Sequence, residues 1–383
     1  MKKKNICFLV TNLDPTIGGT ERVTFSLFQN IDNYGFCPYM IYTNIGSELI
    51  PERYKLKVNT DNENEDSRKS ISQFIISNEI RVLIIVNRIF HKAIFIDLLN
   101  KVKTDTHVKL VFSLHAAPDN WVNKNKIGLV LAKTFCKELV KSILYNFWNP
   151  HYNSVRNAYN LSDKFLLLSE SYIDSFIKTY DVDKKDNKLI AIPNPCPFND
   201  NYEFSTKEQI VLIVSRMQED QKRIFAALKI WKMLRNKNGW KLLIVGDGPD
   251  MNKYKKIAKG ICGVEFAGHS NNVQSYYKRS KIFMMTSIWE GLPMTLIEAM
   301  HYGCVPVVFD SFAAVHDLIK NGETGYIISN NDICQYVSVM DSLLNDDNLV
   351  TRLANKNLSN PNDFSVDKIL RIWQNNLNML ITQ

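Results

Sequence analysis

"IFMMTSIWEGLPMTLIEAMHYGCVPVVF" spans Ile282 to Phe309. It opens on an apolar run, Ile282–Met285, and closes on another, Val305–Phe309. Between them Pro293 falls in the first turn of a helix, where its missing N–H costs nothing. Gly303 falls just past the helix end, where a left-handed residue commonly stops the coil. A continuous apolar strand, a helix and a second continuous strand make one parallel crossover unit covered on both faces.

The same alternation runs through the whole chain. Apolar runs occur at Ile6–Val10, Val82–Val86, Leu110–Leu114, Phe165–Leu168 and Leu189–Ile192. They recur at Ile210–Val214, Leu242–Val245, Val264–Ala267, Ile282–Met285, Val305–Phe309 and Tyr326–Ile328. The fold class expected is α/β, with two doubly wound, Rossmann-like parallel sheets facing a cleft. The proline-rich, polar "IPNPCPFNDNYEFSTKEQ" (Ile192–Gln209) separates them. The division expected is 1–195, a linker at 196–208, and 209–383. The last helix, "VDKILRIWQNNLNMLI", carries Ile369, Ile372, Trp373, Leu377 and Leu380 on one face. That face needs a surface to cover, in the second domain or back on the first.

At 383 residues the chain is long enough for two domains. It is 45% hydrophobic and 22% charged, a balance typical of globular proteins. No window has the run of about 18 apolar residues that a membrane span needs. The first apolar run, Ile6–Val10, reads as a strand and not as a signal peptide. The 7 cysteines show no C-x-x-C pair, which points to a reducing, cytoplasmic setting with neither disulfide frame nor zinc. The net charge of +8 fits an anionic substrate or a membrane surface. Without Lys/Arg blocks or aromatic–basic interleaving, nucleic acid is the weakest partner.

The loop after strand Ile282–Met285 carries the chemistry. The amides of Gly291, Leu292, Pro293 (its carbonyl only), Met294, Thr295 and Leu296 crowd a helix N-terminus, an anion site. Glu290 lies in the loop and Glu298 within the helix. A carboxylate accepts two hydroxyl hydrogen bonds well. Acids on either side of a phosphate pocket suit a ligand with hydroxyls on both sides of a diphosphate, which describes a nucleotide-sugar. The alternative is that both acids only stabilise the helix start or pair with surface cations. "IVSRMQEDQKRI" places Arg216 and Lys222 at another strand end, where two cations neutralise a diphosphate without metal. "LLIVGDGPD" adds Gly246 and Gly248 in a loop that lets backbone approach a ligand.

The order of "VSRMQEDQKR", "LLIVGDGPD", "VEFAGHSNNV" and "SIWEGLPMTLIEAMHYGCVPVV" resembles the family 4 retaining glycosyltransferases of the GT-B fold. The resemblance covers about Ile210 to Ile328, with looser support from the first half and from "IPNPC". It implies that Glu290 holds donor-sugar hydroxyls and Glu298 the ribose. It implies that Arg216 and Lys222 clamp the diphosphate and that His269 lies by the nucleobase. Arg216 and Lys222 stand one residue further apart than the commonest family spacing, which leaves Arg223 as an alternative to Lys222.

In the first half, "TNLDPTIGGTERVTFSLF" places Gly18 and Gly19 before Thr20, a helix N-cap candidate. It is neither a P-loop nor a dinucleotide fingerprint. Read alone it is an ordinary turn; the resemblance implies a loop facing donor phosphates and acceptor. His115 ends an apolar strand in "KLVFSLHAAPDNW". It is either a structural histidine or, by resemblance, a contact to the donor sugar. Glu170 either touches acceptor or caps the next helix. Asp181 and Asp183 spell D-x-D inside a polar lysine-rich loop and read as a solvated turn. The stretch 124–148 alternates Lys126, Lys133, Lys137 and Lys141 with Leu131, Phe135, Leu139, Ile143 and Phe147. It is a helix packed on the sheet or one lying on an anionic membrane.

The function expected is a metal-independent, retaining glycosyltransferase without cofactor. It would move sugar from a nucleotide-sugar, UDP-linked first, to a glycan or lipid-linked acceptor in surface-polysaccharide synthesis, with catalytic residues Glu290, His115, Arg216 and Lys222. An epimerase or hydrolase of the same fold and a nucleotide-sugar-binding scaffold are the alternatives.

Overall fold

The computed structural model describes residues 3–59, 65–86, 93–118, 150–200, 207–359 and 364–382. The chain forms two compact units, Met1–Pro195 with Val366–Gln383, and Cys196–Ser365.

Unit 1 is built on seven parallel strands: β1 Lys4–Val10, β2 Phe36–Tyr42, β3 Lys55–Lys57, β4 Ile80–Val86, β5 Lys109–Leu114, β6 Lys164–Leu167 and β7 Leu189–Ala191. Their order in the sheet is β3-β2-β1-β4-β5-β6-β7. Five of these strands sit on the apolar runs of the sequence. The other two, β2 and β3, do not. β2, "FCPYMIY", alternates buried and half-buried residues over its first half and holds Pro38, so it lacks the continuous apolar signature. β3 pairs only with Met40–Tyr42, so Pro38 lies beyond its reach and the missing N–H falls on an open edge.

Unit 2 holds six parallel strands: β8 Glu208–Val214, β9 Lys241–Val245, β10 Val264–Gly268, β11 Ser280–Met285, β12 Val305–Phe309 and β13 Tyr326–Ile328. Their order is β10-β9-β8-β11-β12-β13. All six coincide with the apolar runs. Trp231 and Trp240 anchor the core and satisfy their indole N–H groups on the carbonyls of Cys262 (3.0 Å) and Leu344 (3.1 Å). In both sheets the strand order reverses once, between β1 and β4 and between β8 and β11. Ligands of doubly wound sheets bind at that reversal, beyond the carboxyl ends of the two strands.

The last helix, Val366–Thr382, belongs to unit 1. It buries Ile369, Leu370, Trp373, Leu377 and Leu380, and Trp373 meets Phe8 of β1 edge-on at 6.5 Å between ring centroids. Polar contacts fix its register: Lys4 Nζ to Asn378 Oδ1 at 2.8 Å, Gln374 Nε2 to the Tyr34 carbonyl at 2.8 Å, and Tyr34 hydroxyl to Asp367. No described helix is long and apolar enough to cross a membrane.

Candidate functional site

The reversal between β8 and β11 brings two segments together. After β8 the chain runs through Arg216, exposed, and Met217, buried, into a single helical turn, Glu219–Lys222. After β11 it runs through Thr286–Pro293 into the helix Met294–His301. Backbone and side chains stitch the two. Ile288 N–H donates to the Gln221 carbonyl at 2.8 Å, and Gln221 Nε2 donates to the Trp289 carbonyl at 3.3 Å. The Thr286 hydroxyl lies 3.0 Å from the carbonyls of both Lys222 and Arg223.

The stitching sets Lys222 Nζ 2.6 Å from Glu290 Oε1, with side-chain exposures of 17% and 8%. At that burial the pair is charge-assisted and little screened. Arg223 takes a left-handed backbone (φ 50°) and turns away, its guanidinium 4.9 Å above the Phe309 ring. Of the two neighbouring cations, Lys222 is therefore the one against Glu290. Glu219 holds the turn in shape. Its Oε2 accepts from Phe225 N–H at 3.1 Å and from the Tyr254 hydroxyl at 3.0 Å, and burial raises its pKa. Asp250 Oδ2 accepts from Glu219 N–H at 2.9 Å. Glu219, Gln221 and Thr286 went unread in the sequence. Their contacts depend on how two loops meet, which no local pattern announces.

Pro293 is not in the first turn. It is the N-cap, with ψ 103°, and the helix starts at Met294. The extended ψ that Pro293 adopts belongs to a capping residue. Its carbonyl accepts from Leu296 N–H at 3.1 Å, so that amide is spent within the helix start. The amides of Leu292, Met294 and Thr295 have no acceptor among the described residues. They make the positive end of the helix available to an anion. Gly303 ends the helix region in a left-handed conformation, φ +68°. Glu298 is 1% exposed, and the Tyr277 hydroxyl donates to its Oε2 at 2.9 Å.

Gly246 has a reason within the protein. A Cβ there would stand 1.9 Å from the Ser215 carbonyl oxygen, at φ +130°. Gly248 likewise sits against the Met217 backbone. These glycines let the loop after β9 pack on the turn that carries Arg216. His269 is exposed, directly after β10.

In unit 1, Gly18 is the N-cap, with extended backbone, and the helix begins at Gly19. Thr20 is therefore inside the first turn; the Gly18 carbonyl already accepts from Arg22 N–H at 3.1 Å. A Cβ on Gly19 would meet nothing within 4 Å. Gly19→Ala is thus expected to leave stability unchanged or to raise it by up to about 1 kcal/mol, with the melting temperature unchanged or slightly higher. A drop in melting temperature would contradict the open space.

His115 follows β5 and is half-buried. Loss of solvation pushes its pKa down to about 4, so it is neutral at neutral pH. A folded pKa below the unfolded one means that protonation favours unfolding. Stability is complete above about pH 6.5 and is lost as pH falls toward 4, by up to about 3 kcal/mol. Urea unfolding of His115→Gln is expected to show a shallower loss across that window; an identical pH profile would contradict it. Ser113 and His115 border a cavity of about 10 Å³, and the buried Ser113 hydroxyl has no partner among the described residues.

Asp181 ends a helix in a left-handed conformation, and Asp183 accepts from Lys185 N–H at 2.9 Å, so the D-x-D serves two turns. Glu170 precedes that helix and makes no side-chain cap. The amphipathic stretch 124–148 lies outside the described residues.

The chain is similar to known proteins. Residues 198–359 match the family model described as glycosyl transferases group 1. The matched residues lie within unit 2. Relatives of the group 1 domain extend over the whole chain. An uncharacterized glycosyltransferase of Haemophilus influenzae is 26% identical, covering 97% of this chain and 99% of its own. The amylovoran biosynthesis glycosyltransferase AmsD of Erwinia amylovora is 25% identical, covering 94% and 96%. The pneumococcal O-GlcNAc transferase GtfA, solved with UDP and GlcNAc, superposes with a TM-score of 0.75 at 11% identity, covering 100% of this chain and 100% of its own. The two doubly wound sheets are those of the GT-B fold.

Proposed function

We propose that this glycosyltransferase moves a sugar from a UDP-sugar to a hydroxyl of a glycan or lipid-linked glycan, with retention at the anomeric carbon, during synthesis of a bacterial surface polysaccharide. The observation that carries it is the Lys222–Glu290 pair beside the open amides of Leu292, Met294 and Thr295 at the β8/β11 reversal. The similarity to AmsD, an amylovoran biosynthesis glycosyltransferase, and to GtfA, which was solved with UDP, supports the polymer class and the nucleotide.

The chemistry follows from charge. A diphosphate becomes more negative as the glycosidic bond breaks. Preorganised donors that face it are worth most in that state. Arg216, Lys222 and the open amides supply them. Glu290 and Glu298 accept hydroxyls, Glu290 from the sugar and Glu298 from the ribose. His115, neutral, offers one donor and one acceptor to the sugar or acceptor. No protein carboxylate is assigned as nucleophile. The leaving phosphate oxygen takes the acceptor proton, and attack comes from the face the phosphate leaves. Two cations carry the charge, so no metal is required.

UDP release from a panel of UDP-sugars, with proton NMR of the product anomer, tests this reading. Retained anomeric configuration, unchanged by EDTA, is expected. Inversion, or activity abolished by EDTA and restored by Mg²⁺, would overturn it.

A further inference from the structure

Unit 2 contains a second recess, beside the C-terminal end of the helix Met294–His301. None of Arg216, Lys222, Glu290 or Glu298 lines it. Its volume is about 80 Å³. At roughly 10–15 Å³ per water that is room for about six waters. Ile297 and Phe364 contribute apolar wall.

Five polar side chains border it: the exposed Asp317, a carboxylate acceptor, and four others with unused hydrogen-bonding capacity. Asn357 is 4% exposed; its Nδ2 donates to the Cys304 carbonyl at 3.2 Å, and its Oδ1 has no partner. Thr324 is 6% exposed; its hydroxyl oxygen accepts from Lys320 N–H at 2.9 Å, and its proton has no acceptor among the described residues. His301 Nε2 lies 3.2 Å from the Asp200 carbonyl, which can only accept, so Nε2 carries the proton and Nδ1 is a bare acceptor. The exposed Lys320 ammonium makes no ion pair among the described residues.

Asn357 Oδ1 is sealed from solvent behind the wall, so the recess offers two acceptors, His301 Nδ1 and the Asp317 carboxylate, and two donors, on Thr324 and Lys320. An anion would leave both acceptors unserved. A cation would leave both donors unserved. A hydroxyl both gives and accepts, and the C–H face of a sugar or polyol suits an apolar wall. We propose that this recess binds a neutral polyhydroxylated ligand, a sugar ring or a small polyol, at a site separate from the β8/β11 reversal. The assignment does not depend on the transfer reaction.

Saturation-transfer NMR on the full chain, with glycerol, D-galactose and N-acetyl-D-glucosamine as probes, tests it. At least one probe is expected to receive saturation from the wild type. The signal should weaken about five-fold in Thr324→Val and in Lys320→Met, each of which removes one donor. Glu290→Gln should leave it unchanged. Lys320 is exposed, so its variant folds even if Thr324→Val is impaired. No transfer to any probe would overturn the proposal and leave a water-filled recess. A signal that survives both recess variants but vanishes in Glu290→Gln would overturn it too, by placing the sugar at the other site.

Discussion

Lys222→Met is expected to lower kcat/KM for sugar transfer by about 10²–10³-fold, the usual loss when one donor to a developing oxyanion is removed. The effect should fall on kcat as well as on donor affinity, because the charge Lys222 faces grows during bond breaking. The variant also deprives Glu290 of the ammonium 2.6 Å from its carboxylate, on a side chain that is 8% exposed. An uncompensated buried charge destabilises. The double variant Lys222→Met/Glu290→Gln should therefore unfold at a higher temperature than Lys222→Met alone while remaining inactive. Steady-state kinetics and thermal melts of the three proteins check both halves. A Lys222→Met enzyme within ten-fold of wild type would mean that Arg216 and the helix amides suffice.

Trp373→Ala should act on stability and not on the donor site. Trp373 is 5% exposed and lies against Phe8 of the central strand β1. It also borders the small unit 1 cavity beneath His115, so truncation enlarges a space that already exists instead of one the core can close. Losses of this kind run to about 3–5 kcal/mol, or roughly 10 °C in a unit of this size. Unit 2 holds none of these contacts, and its response to nucleotide should persist in whatever fraction remains folded. A melting temperature within about 2 °C of wild type would show that the last helix adds little to unit 1.

The strands that the sequence displays are the ones buried on both faces. β8 reads "EQIVLIV" and β12 "VPVVF", runs that hardly admit another element. β2 escaped notice for the opposite reason, since Pro38 and a half-buried edge break the run. Helix starts shifted where capping geometry, not composition, decides: Pro293 and Gly18 are caps because of their extended ψ, which their identities permit but do not demand. In the site, Glu290 and Glu298 stood out as acids in an otherwise apolar stretch. The choice between Lys222 and Arg223 could not be read from adjacent cations, since it turns on one left-handed residue. Glu219, Gln221 and Thr286 were silent for a related reason. Each works through a backbone carbonyl or amide that only the folded loops bring within reach.

The most direct test of the donor site is thermal unfolding against UDP-, GDP- and ADP-sugars, for wild type and for Glu298→Ala. A ligand at 100 times its Kd adds about 2.7 kcal/mol to the folded state. UDP-sugars are expected to raise the melting temperature of wild type by several degrees and to leave Glu298→Ala unmoved. No shift of wild type at millimolar concentration with any of the three, or an equal shift in the variant, would contradict a nucleotide-sugar site at the β8/β11 reversal.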